Sequence, residues 1–286
     1  MPGNALKILV ADYDLATTLA SGQAFRWQPG AGVWTGVIHR HWVQLHGVPG
    51  GIEATTAGPV TDWSWLTHYL QTDLDLPTVL ASFPADEPLR AAVQHARGLR
   101  LLRQDPWECL ASFILSSTKQ IVQIQQIVAL VAERYGEPLA VPNGHSPTHA
   151  FPSAERLAAL SEADLRDCKM GFRAPYLLAA ARAVAGGKLD LERLRGVELA
   201  EAREALITLP GVGPKIADCV LLFAYDFPQA FPVDVWVMKA LRRLYFPRRA
   251  RSPARLQRFI TTYFGPHSGY AQQYLFHYMR THPNPV

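Results

Sequence analysis

The chain has 286 residues, of which 49% are hydrophobic and 18% are charged, and its formal net charge is +4. These values indicate a folded globular protein of two or three subdomains and exclude a disordered chain. No apolar run approaches the ~18 residues of a membrane-spanning helix, and the N-terminal segment MPGNALKILVADYD lacks the features of a signal peptide. Three widely spaced cysteines (Cys109, Cys168 and Cys219) fit neither a disulfide framework nor a metal cluster, so we expect a reducing, cytosolic setting.

The predicted elements change character near residue 100. Between residues 8 and 60, short aromatic and β-branched runs alternate with glycine-rich turns, which predicts an antiparallel meander. Residues 63–96 are predicted to be helical with prolines inside the segment. From Asp105 the pattern is helical, and a break is expected at residues 116–118. We therefore predict an α+β fold, with a β-rich subdomain over residues 1–100 and an all-helical core over residues 101–286.

A tight turn, LPGVGPK, joins two predicted helices in a hairpin that covers about residues 201–222. Gly211 and Gly213 permit positive φ and leave bare N–H groups, and Pro214 suits the first position of the second helix. Free amides at a helix N-terminus favour binding of a phosphate. Lys215 follows in the first turn, where the helix dipole disfavours a cation. Its role is either that of an amine nucleophile or that of a lysine in contact with phosphate or solvent.

Asp234 precedes the amphipathic run VWVMKALRRLY. Such a residue is an ordinary helix N-cap. A carboxylate at this place can also stabilise a developing cation or accept a proton. The two roles are compatible.

Positive charge is concentrated after Asp234. The first 234 residues carry 19 basic and 24 acidic residues, whereas the rest of the chain has nine basic residues and no acidic one. These nine are Lys239, Arg242, Arg243, Arg248, Arg249, Arg251, Arg255, Arg258 and Arg280. The distribution is typical of a polyanion-binding surface, with a merely solvated basic face as the alternative.

Five separated motifs carry a resemblance to a known family. The stretch LPGVGPKIADC with the later FPVD resembles the hairpin and catalytic aspartate of the helix–hairpin–helix DNA glycosylases. SGQAFRW at 21–27, LLRQDPWECLASFILSS at 101–117, MGFRAPY at 170–176 and GYAQQYLF at 269–276 are similar, in the same order, to the 8-oxoguanine glycosylase family. The resemblance implies a TBP-like β-rich subdomain before the glycosylase core, a monomer, damaged duplex DNA as partner and no membrane.

The resemblance also implies a bifunctional DNA glycosylase and AP lyase that excises oxidised guanine from a flipped nucleotide. Lys215 would attack the sugar C1′ and form a Schiff base, Asp234 would stabilise the cationic sugar, and β-elimination would cut the strand. No metal and no cofactor are implied, although a monovalent cation on the hairpin carbonyls is compatible with the family. The site of action would be the nucleoid in a bacterial cytoplasm or the nucleus of a eukaryotic cell.

Further residues acquire roles only through the resemblance. The base would be bound by Gly22, whose carbonyl would accept from the N7–H of 8-oxoguanine, by the stacking pair Cys219 and Phe276, by Gln272 and by Phe223. DNA would be bound by the wedge Phe172, by Arg173 at the orphaned base, by the amides of Gly211, Gly213 and Ile216, and by Thr118 and Lys119. Without the family, Cys219 and Phe276 are equally well explained as core residues and Gln272 as a surface amide.

Several positions depart from the family pattern. Thr118, Lys119, Gln120 and Gln123 replace a run of asparagines and an arginine that reads the opposite cytosine. Because Arg173 is then left alone, roughly 1–3 kcal/mol of discrimination is lost, and we expect relaxed opposite-base specificity.

Trp236 and Met279 replace a polar pair of the family, which suggests a rebuilt phosphate contact, and Phe223 replaces a flexible methionine.

Two alternatives stay open at this stage. One is a glycosylase of the same superfamily for alkylated or ring-opened purines, of which the monofunctional alkyl-purine enzymes need no lysine at position 215. The other is a non-catalytic protein that uses the hairpin only to bind damaged DNA.

Overall fold

The structure is a computed structural model that describes residues 3–246 and 253–282. Arg248, Arg249 and Arg251 of the basic cluster lie outside the described residues. Within these ranges, no helix has the length and apolar character needed to cross a membrane.

Five antiparallel strands form the N-terminal sheet, in the order β1-β5-β4-β3-β2. They are β1 (Gly3–Leu9), β2 (Gln28–Pro29), β3 (Val33–Ile38), β4 (His41–Val48) and β5 (Gly51–Val60). Strands β2 to β5 are the predicted meander, because each pairs with the next along the chain. Strand β1 begins before residue 8, where the predicted segment starts, and forms one edge of the sheet by pairing with β5. The prediction of an α+β fold with an antiparallel N-terminal sheet is confirmed.

Helices make up most of the rest of the described chain, and a short ribbon of β6 (Pro138–Leu139) and β7 (Thr148–His149) lies between two of them. The helices before residue 150 are α1 (Leu15–Ala20), α2 (Ser64–Leu70), α3 (Leu76–Ala81), α4 (Glu87–His95), α5 (Pro106–Leu115) and α6 (Ile121–Tyr135). Those after it are α7 (Ala154–Ala158), α8 (Glu162–Leu165), α9 (Ala174–Ala185), α10 (Leu199–Ile207), α11 (Pro214–Ala224), α12 (Val235–Ala240), α13 (Pro253–Tyr263) and α14 (Ser268–Thr281). The predicted break at residues 116–118 separates α5 from α6.

Aspartate N-caps set the start of five of these helices. Asp14, Asp75, Asp86, Asp105 and Asp234 each accept a hydrogen bond from the backbone N–H three residues on. Each such cap stabilises its helix by about 1 kcal/mol. Asp234 therefore does have the structural role that its position predicts, and any chemical role comes in addition.

Two hydrophobic cores hold the fold together. The smaller core lies under the sheet and includes Trp27 and Leu102, whereas the larger one is built from the later helices. The larger core also includes Leu76 of α3 and Leu89 of α4, which precede residue 100, just as the smaller core includes Leu102, which follows it. The two cores therefore do not divide at residue 100. Helix α11 runs through the larger core and is buried from residue 216 to residue 224, which fixes the residue that precedes this stretch, Lys215.

Candidate active site

The turn between α10 and α11 depends on one glycine for its shape. Gly211 has φ +79°, and a Cβ added there would lie 2.5 Å from the ring of Tyr176. Gly213 has φ −100° and ψ 180°, which is extended backbone, and its Cβ position is open. The positive φ that the sequence allows at Gly213 is therefore not used, because only one left-handed residue is needed to reverse the chain here.

Backbone amides at this turn are free to bind an anion. Within the described residues, the N–H groups of Gly211, Gly213 and Ile216 donate to no acceptor, and no side chain caps α11. Unpaired donors at the positive end of a helix bind phosphate well. This arrangement agrees with the anion site that the sequence predicts.

The amine of Lys215 is surrounded by neutral groups. Its Nζ donates to Ser116 Oγ at 3.3 Å and lies 5.2 Å from the ring centroid of Phe113. It forms no ion pair with a carboxylate of the described residues within 4 Å. The side chain of Lys215 is therefore not held by a carboxylate within salt-bridge distance.

Asp234 uses one carboxylate oxygen for its cap. Oδ1 accepts from the N–H of Val237 at 2.8 Å, while Oδ2 accepts from no donor among the described residues. The half-buried carboxylate keeps this second oxygen for another partner.

One small cavity brings the two candidate catalytic residues together. Lys215 on α11 and Asp234 at the start of α12 both line it, and so do all five of the predicted base-binding residues. The complete lining is Gly22, Phe113, Lys215, Cys219, Phe223, Pro232, Asp234, Gln272, Gln273 and Phe276. The cavity measures about 50 Å³, which holds one or two water molecules. It is smaller than a purine, so its wall has to move before a base can enter.

The polar group in this wall that lacks a partner is the side chain of Gln272. It is only 3% exposed, and its Oε1 has no hydrogen-bond donor within the described residues. A buried acceptor without a donor destabilises a fold by about 1–3 kcal/mol, so its presence points to a ligand that supplies the donor. Burial also raises the pKa of the neighbouring Cys219 thiol to about 11, which keeps it neutral and suited to stacking.

Aromatic rings form the rest of the wall. Phe223 stacks on Phe113 with ring centroids 5.6 Å apart, and both are buried. Phe276 on α14 also lines the cavity and, unlike Phe113 and Phe223, is only half-buried. The ring of Phe276 is therefore the part of the wall that can turn outward with the least loss of packing.

The predicted DNA-reading residues Phe172 and Arg173 are in contact, with the guanidinium carbon 4.2 Å from the ring centroid, but they differ in exposure. Phe172 is 53% exposed in the 3₁₀ turn Gly171–Arg173, as a wedge requires. Arg173 is only 3% exposed: Nε donates to Ser117 O at 2.8 Å, and Nη2 donates to Thr118 Oγ1 at 2.6 Å. In the free protein Arg173 is therefore held by Ser117 and Thr118, and its contact with the orphaned base stays a prediction. Lys119 is half-buried beside them.

A basic groove borders the cavity on the side of α12. It is lined by Asp234 together with Lys239, Arg242 and Arg243, and it measures about 820 Å³. All three basic side chains are exposed, and none forms an ion pair with a described carboxylate. The groove provides positive charge directly beside the carboxylate.

Several site residues lie inside the quoted motifs but have no chemical feature that identifies their role. Phe113 and Ser116 belong to an apolar run typical of a core helix, and Pro232 is typical of a turn. Gln273 next to Gln272 in a buried helix was a usable signal, because two adjacent amides are unusual in such a place. In the described residues, no group of three or more His, Cys, Asp or Glu side chains is arranged to hold a metal ion.

Comparison with known proteins gives consistent matches along the chain. Residues 5–110 match the model of the 8-oxoguanine DNA glycosylase N-terminal domain, and residues 111–266 match that of the HhH-GPD superfamily base excision DNA repair proteins. The N-glycosylase/DNA lyase OGG1 of Arabidopsis thaliana is 34% identical over 95% of this chain and 78% of its own length. A probable N-glycosylase/DNA lyase of Methanothermobacter thermautotrophicus is 31% identical over 96% of both chains.

Solved structures match over nearly the whole chain. The protein MBOgg1, solved with a low-affinity DNA ligand, has a TM-score of 0.92 and 34% identity over 98% of this chain and 96% of its own. The 8-oxoguanine glycosylase/lyase of Clostridium acetobutylicum, solved with duplex DNA carrying cytosine opposite 8-oxoguanine, has a TM-score of 0.89 and 30% identity over 96% and 97%.

Proposed function

The chain belongs to the 8-oxoguanine DNA glycosylase family of the helix–hairpin–helix superfamily, and we propose that it releases 8-oxoguanine from duplex DNA and then cleaves the strand. The observation that carries the proposal is the shared cavity of an unneutralised amine, Lys215, and a carboxylate with a free oxygen, Asp234. An enzyme of this class acts where DNA is, in a nucleoid or a nucleus. The absence of any cofactor and the hairpin-bound monovalent cation stay predictions.

The amine supplies both chemical steps. Lys215 Nζ attacks the sugar C1′ as the free amine, the C1′–N9 bond breaks, and the base leaves with the bonding electron pair. The attacking nitrogen loses one proton on forming the new C–N bond, and this proton neutralises the departing base. Asp234 stabilises the positive charge that develops on the sugar as this bond breaks. The amine adduct then opens to a Schiff base. Loss of a C2′ proton expels the 3′-phosphate by β-elimination, and hydrolysis of the Schiff base frees Lys215.

Recognition of the base rests on groups that lack a partner in the free protein. Gln272 Oε1 would accept from the N1–H and N2–H donors of the purine edge. Gly22 lines the cavity and its carbonyl accepts from no described donor, so this carbonyl would accept from the N7–H of 8-oxoguanine and would repel the N7 lone pair of guanine. Cys219 and Phe276 would stack on the two faces once Phe276 has turned outward, and Phe223 would limit the depth of the pocket.

Binding of the duplex uses the surface around the cavity. The free amides of the hairpin hold a phosphate, the basic groove beside Asp234 follows the backbone, and Phe172 fills the gap left by the flipped nucleotide. Arg173 reaches the orphaned base only if it leaves Ser117 and Thr118. With Gln123 engaged in capping α6 through the Gln120 amide, at 3.2 Å, we propose relaxed opposite-base specificity.

A panel of duplexes, each with one modified purine opposite each normal base, tests the function. We expect free 8-oxoguanine in chromatography and a strand break at the same site. Release of alkylated purines alone would favour the alkyl-purine alternative. Salt-sensitive binding of every duplex without release of any base would identify a non-catalytic binding protein and overturn the proposal.

A further inference from the structure

An arginine that no motif identifies lies beside two residues of the cavity wall, Phe276 and Gly22. Arg280 is one turn beyond Phe276 on α14, and its guanidinium carbon lies 5.4 Å from the Phe276 ring centroid. Its Nη2 donates to the carbonyl of Ala20 at 2.8 Å, and its Nη1 lies 3.3 Å from the position that a Cβ on Gly22 would occupy. One side chain therefore contacts both walls of the base pocket.

The turn that carries Gly22 is held by α14 through two successive carbonyls. Arg280 donates to the carbonyl of Ala20, and Gln273 donates to that of Ser21 at 3.2 Å. The next carbonyl, that of Gly22, accepts from no donor among the described residues, and Gly22 lines the cavity. Gly22 has φ +80°, in the left-handed region that glycine adopts readily, so the course of the chain here depends on the contacts that hold Ala20 and Ser21.

Stability alone does not account for this arginine. Its Nε is buried without a partner in the described residues, and burial lowers the pKa of the guanidinium below its ordinary value while Asp234 opposes that shift. Burying a cation and leaving one of its donors unpaired lowers the stability of the fold, so stabilisation of the end of α14 does not explain the residue. Such groups are retained where geometry at a site depends on them.

We propose that Arg280 is a positioning residue for base recognition: by pinning Ala20 and supporting the ring of Phe276, it fixes the Gly22 carbonyl at the distance that distinguishes 8-oxoguanine from guanine. The proposal rests on the function proposed above, since it assigns Arg280 to the selection of the base and not to the chemistry at the sugar. Cleavage at a preformed abasic site needs Lys215 but no base, so it does not depend on this carbonyl.

The test compares two reactions of the same enzyme under single-turnover conditions. Arg280→Met should excise 8-oxoguanine about tenfold more slowly, and its preference for 8-oxoguanine over guanine should fall, whereas cleavage of a preformed abasic site should stay within twofold of wild type. Arg182→Met is the matched control. Like Arg280, Arg182 lies on a helix and donates to the backbone of another segment, here to the carbonyls of Ala158 and Leu160 at 3.4 Å, and it does not line the cavity.

Two results would overturn the assignment. One is excision by Arg280→Met at the wild-type rate with unchanged selectivity. The other is a parallel fall of excision and abasic-site cleavage, which would indicate general damage to the fold. If the methionine variant does not fold, Arg280→Lys answers the same question, with an expected threefold loss in excision alone. Failure of the wild-type protein itself to excise 8-oxoguanine would instead refute the proposed function.

Discussion

Replacing Asp234 by asparagine separates the two roles of this residue. The cap uses Oδ1 alone, which accepts from the Val237 amide at 2.8 Å, and an asparagine oxygen caps a helix as well as an aspartate oxygen does. Asp234→Asn should therefore leave the free energy of unfolding within about 0.5 kcal/mol of wild type. Its charge is lost, however, and removal of one preorganised electrostatic group lowers the rate by about 10²–10³-fold, or 2.7–4 kcal/mol.

The assay is single-turnover excision of 8-oxoguanine together with thermal unfolding of the same samples. Asp234→Ala should lose as much activity and, in addition, about 0.5–2 kcal/mol of stability, because the cap disappears. Asp75→Ala is the control, since Asp75 caps α3 in the same way and does not line the cavity. Excision by Asp234→Asn at the wild-type rate would show that Asp234 is a cap only and would refute the argument.

Three further predictions concern the turn, the opposite base and pH. Gly211→Ala should destabilise the protein by at least about 1–2 kcal/mol and weaken DNA binding, because a Cβ at φ +79° meets Tyr176. Gly213→Ala should change neither the stability nor the binding, since its Cβ position is open. Equal melting temperatures of the two variants would contradict this prediction. Wild-type protein should excise 8-oxoguanine equally fast opposite C and A, and Gln123→Arg should introduce about 1–3 kcal/mol of preference for C; a strong preference in the wild type would be the contrary result. Burial is the main reason why the pKa of His277 is lowered to about 4. Between pH 6.5 and 4 the imidazole is therefore protonated in the unfolded state but not in the folded state, so the free energy of unfolding should fall as the pH drops through this range. A His277→Gln variant whose stability falls equally steeply would contradict this prediction.

Local signals account for the parts of the structure that the sequence predicts well. The alternating runs of β3 to β5, the Asp-Pro start of α5 and the glycine turn before α11 each depend on a few neighbouring residues. The cap by Asp234 is of the same kind, because its acceptor and donor are three residues apart. Propensity and turn chemistry act over such distances, so one sequence is enough to read them.

The remaining features depend on contacts between distant residues. Arg173 turns inward because Ser117, 56 positions earlier, offers a carbonyl, and Arg280 meets Ala20 from 260 positions away. The narrow cavity that contains the unpaired oxygen of Gln272 forms where side chains of α5, α11 and α14 meet the residues at the start of α12. No periodicity or motif encodes such a contact. Only the resemblance indicates Gln272 as a base-binding residue, and the sequence marks Arg280 only as one of the nine basic residues after Asp234.

The central claim is that the amine of Lys215 becomes covalently bound to the sugar, and borohydride trapping tests it most directly. Wild-type protein mixed with a duplex that contains 8-oxoguanine should give a reduced, covalent protein–DNA adduct on a denaturing gel. Lys215→Gln should give none, while Lys188→Gln, which removes an exposed lysine outside the cavity, should give as much as wild type. An adduct that persists undiminished in Lys215→Gln, or base release by wild-type protein without any adduct, would contradict the account.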